Sequence, residues 1–247
     1  MTTQLLHAAV ASHIGRRSNH EDAACVHPDL GLYVVADGMG GYEGGEVAAS
    51  IVIQSVASFF SSNLQDQELT WPVGYDPTRT LRENLVLAGL KVADLEVQRR
   101  KVGSLRQMGA TVVVVAIEED AVVIGHVGDS RVYRFRQGSL QRLTRDHSLA
   151  EELGLIAGAR DDHALAHVVT RAIGTSSADA EIRREAVAPG DRFLLCSDGL
   201  SDPLSDSEIA EILGREAPAD AAQVLVRRAY ERGGQDNITA MVLSPRG

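Results

Sequence analysis

Four aspartates stand where an apolar run begins or ends, and this arrangement most constrains how the chain can fold: Asp37, Asp129, Asp198 and Asp236. Short runs rich in Val, Ile and Leu, bounded by Gly, Asp or Asn, predict buried β-strands. A carboxylate at the end of a buried strand has a defined direction, and four that converge would repel one another unless a cation lay between them. Carboxylate oxygens are the ligands that hard divalent cations prefer. The pattern therefore predicts a metal centre.

Length and charge limit the class of protein. The 247 residues are enough for one domain with a sizeable core, and we expect a single domain spanning 1–247. The formal net charge is −10 and no basic run exists to neutralise a phosphate backbone, which argues against a nucleic acid or an anionic membrane as partner. One pair of basic residues could still bind a single phosphate group.

Cysteine usage and hydropathy bear on the compartment. Cys25 and Cys196 are the only cysteines, and we expect both to be reduced, as in the cytoplasm. Residues 1–12 contain no Lys or Arg and no sustained apolar core, so they do not resemble a signal peptide. The longest apolar run, 112–117, is far shorter than the roughly 18 residues that a membrane helix needs. We expect a cytoplasmic protein.

Hydrophobic periodicity predicts an α+β fold. Strands are predicted at 32–36, 111–117, 121–127, 131–135, 193–196 and 238–243, and helices at 43–60, 81–101, 207–213 and 218–232. The short link at 118–120 predicts a hairpin, and the strand at 131–135 extends it to a meander, which indicates a mainly antiparallel sheet. Strands and helices cluster instead of alternating, which favours α+β layers over a doubly wound parallel sheet.

Two polar segments interrupt this pattern. Residues 61–76 are interpreted as a loop between the first two helices. Residues 146–168 are rich in Ala, Gly, Asp and His, and they are long for a passive connection. We interpret this second segment as a functional flap.

The short segment around each of these four aspartates also has a plain structural explanation. A glycine-rich turn accounts for the glycines after Asp37 without requiring the acid, and the phrase at Asp198 is an ordinary Asp-Gly turn. Asp236 precedes an Asn and could form an Asx turn, and Asp129 could belong to a tight hairpin. Each signal is weak alone, but their combination is far less expected by chance.

The segment 16–22 contains two arginines, a histidine and two acids. Its plain interpretation is a solvated charged loop. Its functional interpretation places an Arg on a phosphate, with bidentate hydrogen bonds, and the acids on a metal ion. Other chemistries lack their motifs: the sequence has no H-E-x-x-H, no G-x-S-x-G and no Gly-rich loop ending in Lys-Ser/Thr.

The order of these phrases resembles a known family. Eight phrases match in sequence order, at 17–22, 35–41, 109–111, 128–131, 143–148, 170–174, 197–200 and 236–237. Together they resemble a bacterial member of the metal-dependent protein phosphatases (PPM), the protein phosphatase 2C type, over about residues 8–243. The resemblance implies an α-β-β-α sandwich of two antiparallel sheets flanked by helices. It implies hydrolysis of phosphoserine and phosphothreonine in phosphoprotein substrates by water activated between two Mn²⁺ or Mg²⁺ ions. We expect a monomer that opposes a bacterial Ser/Thr kinase.

The resemblance also implies roles for individual residues. Asp37 would bridge two metal ions, and Asp198 and Asp236 would complete the shell of the first. The Gly38 carbonyl would bind the second ion.

Three further acids and one arginine follow from the same resemblance. Glu21 and Asp22 would hold the second ion largely through water, and Asp129 with Asp198 resembles a third, weaker metal site. Arg17 would bind the substrate phosphate and so act in catalysis together with Asp37. The family has no covalent phosphoenzyme, so the lack of an activated Cys or Ser nucleophile agrees with this chemistry.

The chain departs from the family pattern at several positions. His20 stands where the family usually has Asn, and Gly15 is one residue closer to the motif than usual, which leaves Arg16 as an alternative to Arg17. Met39 and Tyr42 stand where eukaryotic and bacterial members, respectively, carry His. The resemblance therefore assigns no general acid, and a metal-bound water could protonate the leaving group instead.

Two other functions fit the same fold. A pseudophosphatase would sense a ligand or scaffold a partner, but such a protein has no need for mutually repelling acids at 22, 37, 198 and 236. A regulatory phosphatase would use the same chemistry on one dedicated protein substrate, and the sequence does not separate it from a general phosphatase.

Overall fold

A computed structural model describes residues 6–40, 44–64, 71, 74–154, 165 and 167–245. The strands are β1 Leu6–His13, β2 Asp22–His27, β3 Leu32–Met39, β4 Gly109–Glu118, β5 Ala121–Val127, β6 Arg131–Arg136, β7 Ser139–Arg142, β8 Glu181–Ala186, β9 Arg192–Cys196 and β10 Ile238–Pro245. The helices are α1 Gly45–Asn63, α2 Leu81–Arg99, α3 Leu149–Glu152, α4 Asp198–Ser201, α5 Asp206–Arg215 and α6 Pro218–Glu231. Short 3₁₀ turns lie at Pro28–Leu30 and Gly103–Gln107.

The strands form two five-stranded sheets. The first has the order β1-β10-β9-β6-β7 and the second has the order β2-β3-β4-β5-β8. The strand pairs in both sheets are antiparallel. Helices α1 and α2 contact the second sheet, whereas α5 and α6 contact the first. The predicted α-β-β-α sandwich is confirmed.

Alternate residues of each central strand face two different cores. On β4, Val112 and Val114 pack with α1 and α2, and Val113 and Val115 pack between the sheets. The first sheet repeats this arrangement, since Leu194 of β9 packs against the C-terminal helices while its neighbours face the second sheet. Strands buried on both faces have continuous apolar sequences, which explains why periodicity alone identified them.

Helix ends follow local sequence signals. Thr80 caps α2 and Ser205 caps α5, each in a capping box with a Glu three residues later. Helix α6 begins with Pro218, where the missing N–H costs no helical hydrogen bond. The four predicted helices are present, each within three residues of its predicted bounds, apart from residue 43, which lies outside the described residues. In the described part of the chain, none of the helices combines the length and the hydropathy needed to cross a membrane.

The sequence prediction missed four strands, and all four are sheet edges: β1, β2, β7 and β8. One side of an edge strand is unpaired, so these segments carry polar residues or mostly small apolar ones, and they lack a run rich in Val, Ile and Leu. The predicted meander was also wrong, because β4 and β5 form a hairpin but β6 lies in the other sheet. The phrase at 128–130 is therefore a corner between sheets and not a hairpin turn. Gly128 has φ +106° there, and an added Cβ would lie 2.4 Å from Thr111 Cβ.

The two predicted loops are partly described. Residues 65–70 and 72–73 of the first, and residues 155–164 and 166 of the predicted flap, lie outside the described residues, as do residues 41–43 with Tyr42. The described ends of the flap are held together by an antiparallel bridge between Ser148 and Val169. Thr170 N–H donates to the His147 carbonyl oxygen over 2.8 Å, and His147 N–H donates to the Gly128 carbonyl oxygen over 3.0 Å. The flap is thus anchored at the corner that carries Asp129.

Candidate metal centre

Two aspartates of the second sheet lie directly opposite each other. Asp22 begins β2 and is the register partner of Asp37 near the end of β3, which in turn pairs with Thr111 on β4. Directly paired residues of antiparallel strands project to the same face, and like charges there destabilise the pair. The sheet therefore concentrates negative charge at one end.

The first sheet supplies the remaining acids through the ends of β9 and β10. Asp198 begins α4 immediately after β9, and Asp236 precedes β10. Ser197 joins the two sheets, because its Oγ donates to Asp22 Oδ2 over 2.8 Å and accepts from Thr239 N–H over 3.0 Å. Its position is set by the strand pairing, which the sequence does not reveal.

These side chains surround one cleft of about 540 Å³, which we call the acidic cleft. Its lining residues are Arg17, Ser18, Asn19, Glu21, Asp37, Gly38, Met39, Gly40, Thr111, Asp129, His167, Val169, Asp198 and Asp236. Seven of the eight residues singled out from the sequence line it, and the eighth, Asp22, is held by Ser197. The structure therefore brings the predicted site residues together from both sheets.

Burial and mutual repulsion raise the pKa of these acids. Burial raises the pKa of Asp37 well above its usual value, and Asp22, Asp198 and Asp129 raise it further. Burial is also the main cause of the raised pKa of three other acids. It raises the pKa of Asp22 and of Asp129 to about 7, and that of Asp198 to about 6. Several of these acids would have to be protonated near neutral pH unless a cation compensated them.

The donor atoms fit a hard divalent cation. Among the described residues, Asp22 Oδ1 and Asp198 Oδ1 are buried and have no hydrogen-bond partner. Buried carboxylate oxygens are normally paired or bound to a metal. Glu21 adds a further acid, and burial together with Glu46 raises its pKa. An all-oxygen set of this kind suits Mg²⁺ or Mn²⁺ better than softer metals.

Only glycine fits at position 38, because another backbone segment approaches it closely. A Cβ at this position would lie 2.0 Å from the Gly45 carbonyl oxygen at the start of α1. Its N–H donates to the Glu21 carbonyl oxygen over 3.1 Å, which fixes Glu21 beside Asp37. The glycine thus allows α1 and the Glu21 segment to meet at the cleft.

The two candidate arginines have different environments. Arg17 Nη2 donates to Asp236 Oδ2 over 2.6 Å and the residue lines the acidic cleft. Arg16 Nε instead donates to the Gly233 carbonyl oxygen over 2.7 Å, and its N–H donates to the Gly234 carbonyl oxygen over 2.8 Å. Arg17 is therefore the arginine positioned to meet a ligand in the cleft.

Asn237 is an organising residue that the sequence interpretation left without a role. Its Nδ2 donates to the carbonyl oxygens of Ile14 and Asn19, over 2.8 and 2.9 Å, and its Oδ1 accepts from Glu21 N–H over 2.6 Å. One buried amide thus holds the segment 14–21 against β10. The adjacent Asp236 marked this part of the sequence as functional. The role of Asn237 could not be predicted, because its hydrogen-bond partners are more than 200 residues away in sequence.

A second group of potential ligands lies behind the Asp129 corner: His126, His147 and Glu181. Its ring nitrogens are engaged structurally, since His126 Nε2 donates to the Arg145 carbonyl oxygen over 2.7 Å and His147 Nδ1 accepts from Gly128 N–H over 3.0 Å. The rings stack with centroids 4.6 Å apart, so their in-plane lone pairs run nearly parallel. Arg171 Nη1 lies 3.4 Å from Glu181 Oε1, so the guanidinium provides the positive charge that pairs with this carboxylate. Through these contacts the group supports the corner that carries Asp129.

Comparison with known proteins agrees with this arrangement. A family model described as protein phosphatase 2C matches residues 11–239. The Ser/Thr protein phosphatase PstP of Mycobacterium tuberculosis is 34% identical over 230 residues, covering 92% of this chain but only 42% of PstP. The protein phosphatase PhpP of Streptococcus pneumoniae is 31% identical over 226 residues, covering 86% of this chain and 85% of PhpP.

A solved structure shows the same fold in three dimensions. The catalytic domain of PstP in complex with two manganese ions superposes with a TM-score of 0.78 at 32% identity, covering 97% of this chain and 98% of that one. The chain spans less than half the length of PstP itself, but it spans nearly all of this catalytic domain. The two sheets, the acids gathered at their ends and the match over nearly the whole chain place this protein in the protein phosphatase 2C family.

Proposed function

We propose that this chain is a metal-dependent protein phosphatase that hydrolyses phosphoserine and phosphothreonine in phosphoproteins. The observation that carries the proposal is the cluster of buried carboxylates in a cleft that also contains an arginine. The names of PstP and PhpP and the two manganese ions of the PstP catalytic domain support it. Among the described residues, the cleft offers no Cys and no Ser paired with a His, so a phosphoenzyme on Cys or Ser has no support.

In this proposal two Mn²⁺ or Mg²⁺ ions bind in the acidic cleft, and Asp129 with Asp198 offers a third, weaker site. The proposed ligands are Glu21, Asp22, Asp37, Gly38 through its carbonyl, Asp129, Asp198 and Asp236. Bound divalent ions would supply activation of water near neutral pH and compensation of phosphate charge.

The chain's own residues orient these groups. Ser197 and Asn237 fix Asp22 and the Glu21 backbone, so the ligands from both sheets are held in place before an ion binds. Arg17 binds the phosphate of the substrate and balances the charge on its non-bridging oxygens as phosphorus is attacked. Its contact with Asp236 keeps the guanidinium inside the cleft.

The proposal for the biological setting names only classes of substrate and partner and a compartment. Phosphoproteins are the substrates, and a bacterial Ser/Thr kinase would supply them. We propose a cytoplasmic monomer whose phosphatase domain spans 1–247, in line with the net charge of −10 and two reduced cysteines.

The direct test is hydrolysis of p-nitrophenyl phosphate and of a phosphothreonine peptide, each with Mn²⁺, with Mg²⁺ and with excess chelator. We expect turnover that a chelator abolishes and that Mn²⁺ restores. Full activity in excess chelator would contradict the metal mechanism. Mn²⁺ binding measured by calorimetry without any turnover would identify a pseudophosphatase of the same fold.

A further inference from the structure

Hydrolysis of a serine or threonine phosphate needs a proton at the leaving oxygen. An alkoxide is a poor leaving group, so a general acid contributes substantially to such a reaction, whereas an aryl oxide departs readily without one. The acids at the base of the acidic cleft are occupied as proposed metal ligands. A side-chain proton donor would therefore be another residue that reaches the cleft.

Among the described residues that line the acidic cleft, His167 contributes the only imidazole. Its side chain is 55% exposed, which places it at the mouth of the cleft, where a protein substrate enters and its side-chain oxygen departs. Imidazole exchanges protons near neutral pH more readily than the other uncharged side chains of the lining. His167 thus combines the required chemistry with the required location.

An acid outside the proposed ligand set orients this ring. His167 Nδ1 lies 3.2 Å from Asp202 Oδ2, so the second ring nitrogen, Nε2, remains available to a substrate. Asp202 follows helix α4 and donates its N–H to the Asp198 carbonyl oxygen over 2.8 Å, which fixes its position relative to the metal centre. A carboxylate that pairs with one ring nitrogen selects the orientation of the imidazole.

The backbone beside His167 is anchored. The Val168 carbonyl oxygen accepts from Leu149 N–H over 2.9 Å, and Val169 bridges to Ser148. The histidine therefore stands on a fixed segment at the edge of the cleft. The other acids that line the cleft are Glu21, Asp37, Asp129, Asp198 and Asp236.

We propose that His167 is the general acid of this phosphatase and that Asp202 is its positioning residue. Water oxygen forms a bond to phosphorus while the bond from phosphorus to the serine or threonine Oγ breaks, and that electron pair passes to Oγ. His167 Nε2–H transfers its proton to Oγ, which leaves as a neutral alcohol. The attacking water releases one proton to solvent, and the imidazole takes one from solvent, so the net change is addition of one water molecule to the ester. This inference rests on the proposed function.

The test compares leaving groups in the Mn²⁺-loaded protein. His167→Gln should reduce kcat on a phosphothreonine peptide by about 10²-fold or more, while kcat on p-nitrophenyl phosphate changes by less than about threefold. Across a series of aryl phosphates, the variant should show a steeper dependence of log kcat on leaving-group pKa than the wild type. Asp202→Asn should give the same pattern with a smaller loss, about tenfold on the peptide.

A matched control is His27→Gln, which changes an exposed histidine at the opposite end of β2 and should leave both substrates unaffected. Equal losses on peptide and aryl phosphate in His167→Gln, or no loss on either, would overturn the assignment while leaving the proposed function intact. A wild type that hydrolyses neither substrate with Mn²⁺ would refute the proposed function itself. Partial unfolding lowers all rates equally, so the leaving-group slope distinguishes it from loss of a proton donor.

Discussion

Arg17 Nη2 donates a hydrogen bond to Asp236 Oδ2 over 2.6 Å, across 219 positions of sequence. The pair joins a proposed phosphate ligand to a proposed metal ligand. Both side chains are more than a third exposed, so their direct attraction contributes little to stability. Its consequence is placement: the contact holds the guanidinium beside a carboxylate that the proposal assigns to a metal ion.

Arg17→Ala should weaken substrate binding more than metal binding. A charge-assisted contact of about 1.5–3 kcal/mol corresponds to a loss of roughly tenfold to a hundredfold in kcat/KM. If the contact forms equally in the ground and transition states, KM should rise while kcat falls little. Steady-state kinetics on a phosphothreonine peptide and calorimetric Mn²⁺ titration separate the two effects. Arg16→Ala is the control, because Arg16 contacts the Gly233 backbone, and a crippled Arg16→Ala beside a normal Arg17→Ala would reverse the assignment.

Asp37→Asn and Asp198→Asn should each abolish turnover without unfolding the protein. Each removes a charge from the proposed metal ligands, so activity should fall by at least about 10²-fold, more than for a residue that only orients ligands. The chelated variants should melt no lower than the chelated wild type, since losing one carboxylate relieves repulsion. Asp29→Asn, at an exposed turn, serves as the control for kinetics and thermal melts. Near-normal turnover by either cleft variant at saturating Mn²⁺ would refute its role.

The metal-free protein should become less stable as the pH rises through the range in which these acids ionise. Burial raises the pKa of Asp129 from 3.8 to about 7, and Asp22 behaves in the same way. An acid whose pKa is higher in the folded than in the unfolded protein stabilises the folded state fully at pH values below its pKa in the unfolded protein. This contribution is lost as the pH rises from about 4 to about 7. Bound cations replace the protons, so stabilisation by Mn²⁺ should grow over the same range.

Thermal melts in chelator and in Mn²⁺, at pH of about 5.5 and about 7.5, measure this effect. Asp129→Asn isolates one acid from all other titrating groups, and the chelated variant should lose less stability than the chelated wild type across that interval. Identical pH dependence of the two chelated proteins would show that Asp129 does not carry the effect.

Asn237→Ala should lower both stability and metal affinity. It leaves Glu21 N–H and the carbonyl oxygens of Ile14 and Asn19 without their partner, and a buried unsatisfied group costs about 1–3 kcal/mol. Loss of ligand orientation should reduce Mn²⁺ affinity by about 10- to 100-fold.

Asn84→Ala is the matched control for Asn237→Ala. Asn84 is equally buried, at 3% exposed, and its side-chain amide binds the backbone around the start of α2, away from the acidic cleft. Both variants should melt at lower temperature, but calorimetry should find normal Mn²⁺ affinity only in Asn84→Ala. Equal Mn²⁺ affinity in the two variants would limit Asn237 to a structural role.

The interior of both sheets could be predicted from sequence because its signal is local. The six predicted strands are the six interior strands, and five of them are mainly apolar because neighbouring strands and cores cover them. The sixth, β6, carries three arginines and is buried mainly at Val132 and Tyr133. The four edge strands escaped prediction because such cover is missing on their unpaired side. A segment such as Glu181–Ala186, with two arginines and two glutamates that are exposed or only partly buried, becomes a strand only by pairing with β5.

For the candidate site, the sequence by itself determined which acids end the buried strands, because a carboxylate beside Gly at the end of an apolar run is visible in a short window. The resemblance to a known family rested in addition on the order of the motifs along the chain. Only the tertiary structure decided which side chains meet: the opposition of Asp22 and Asp37, the choice of Arg17 over Arg16, and the role of Asn237. It also placed His167 beside Asp202 at the mouth of the cleft. These relationships depend on strand register and on contacts between distant segments, and the free energy that sets them comes from packing of the whole sandwich, which no short stretch of sequence encodes.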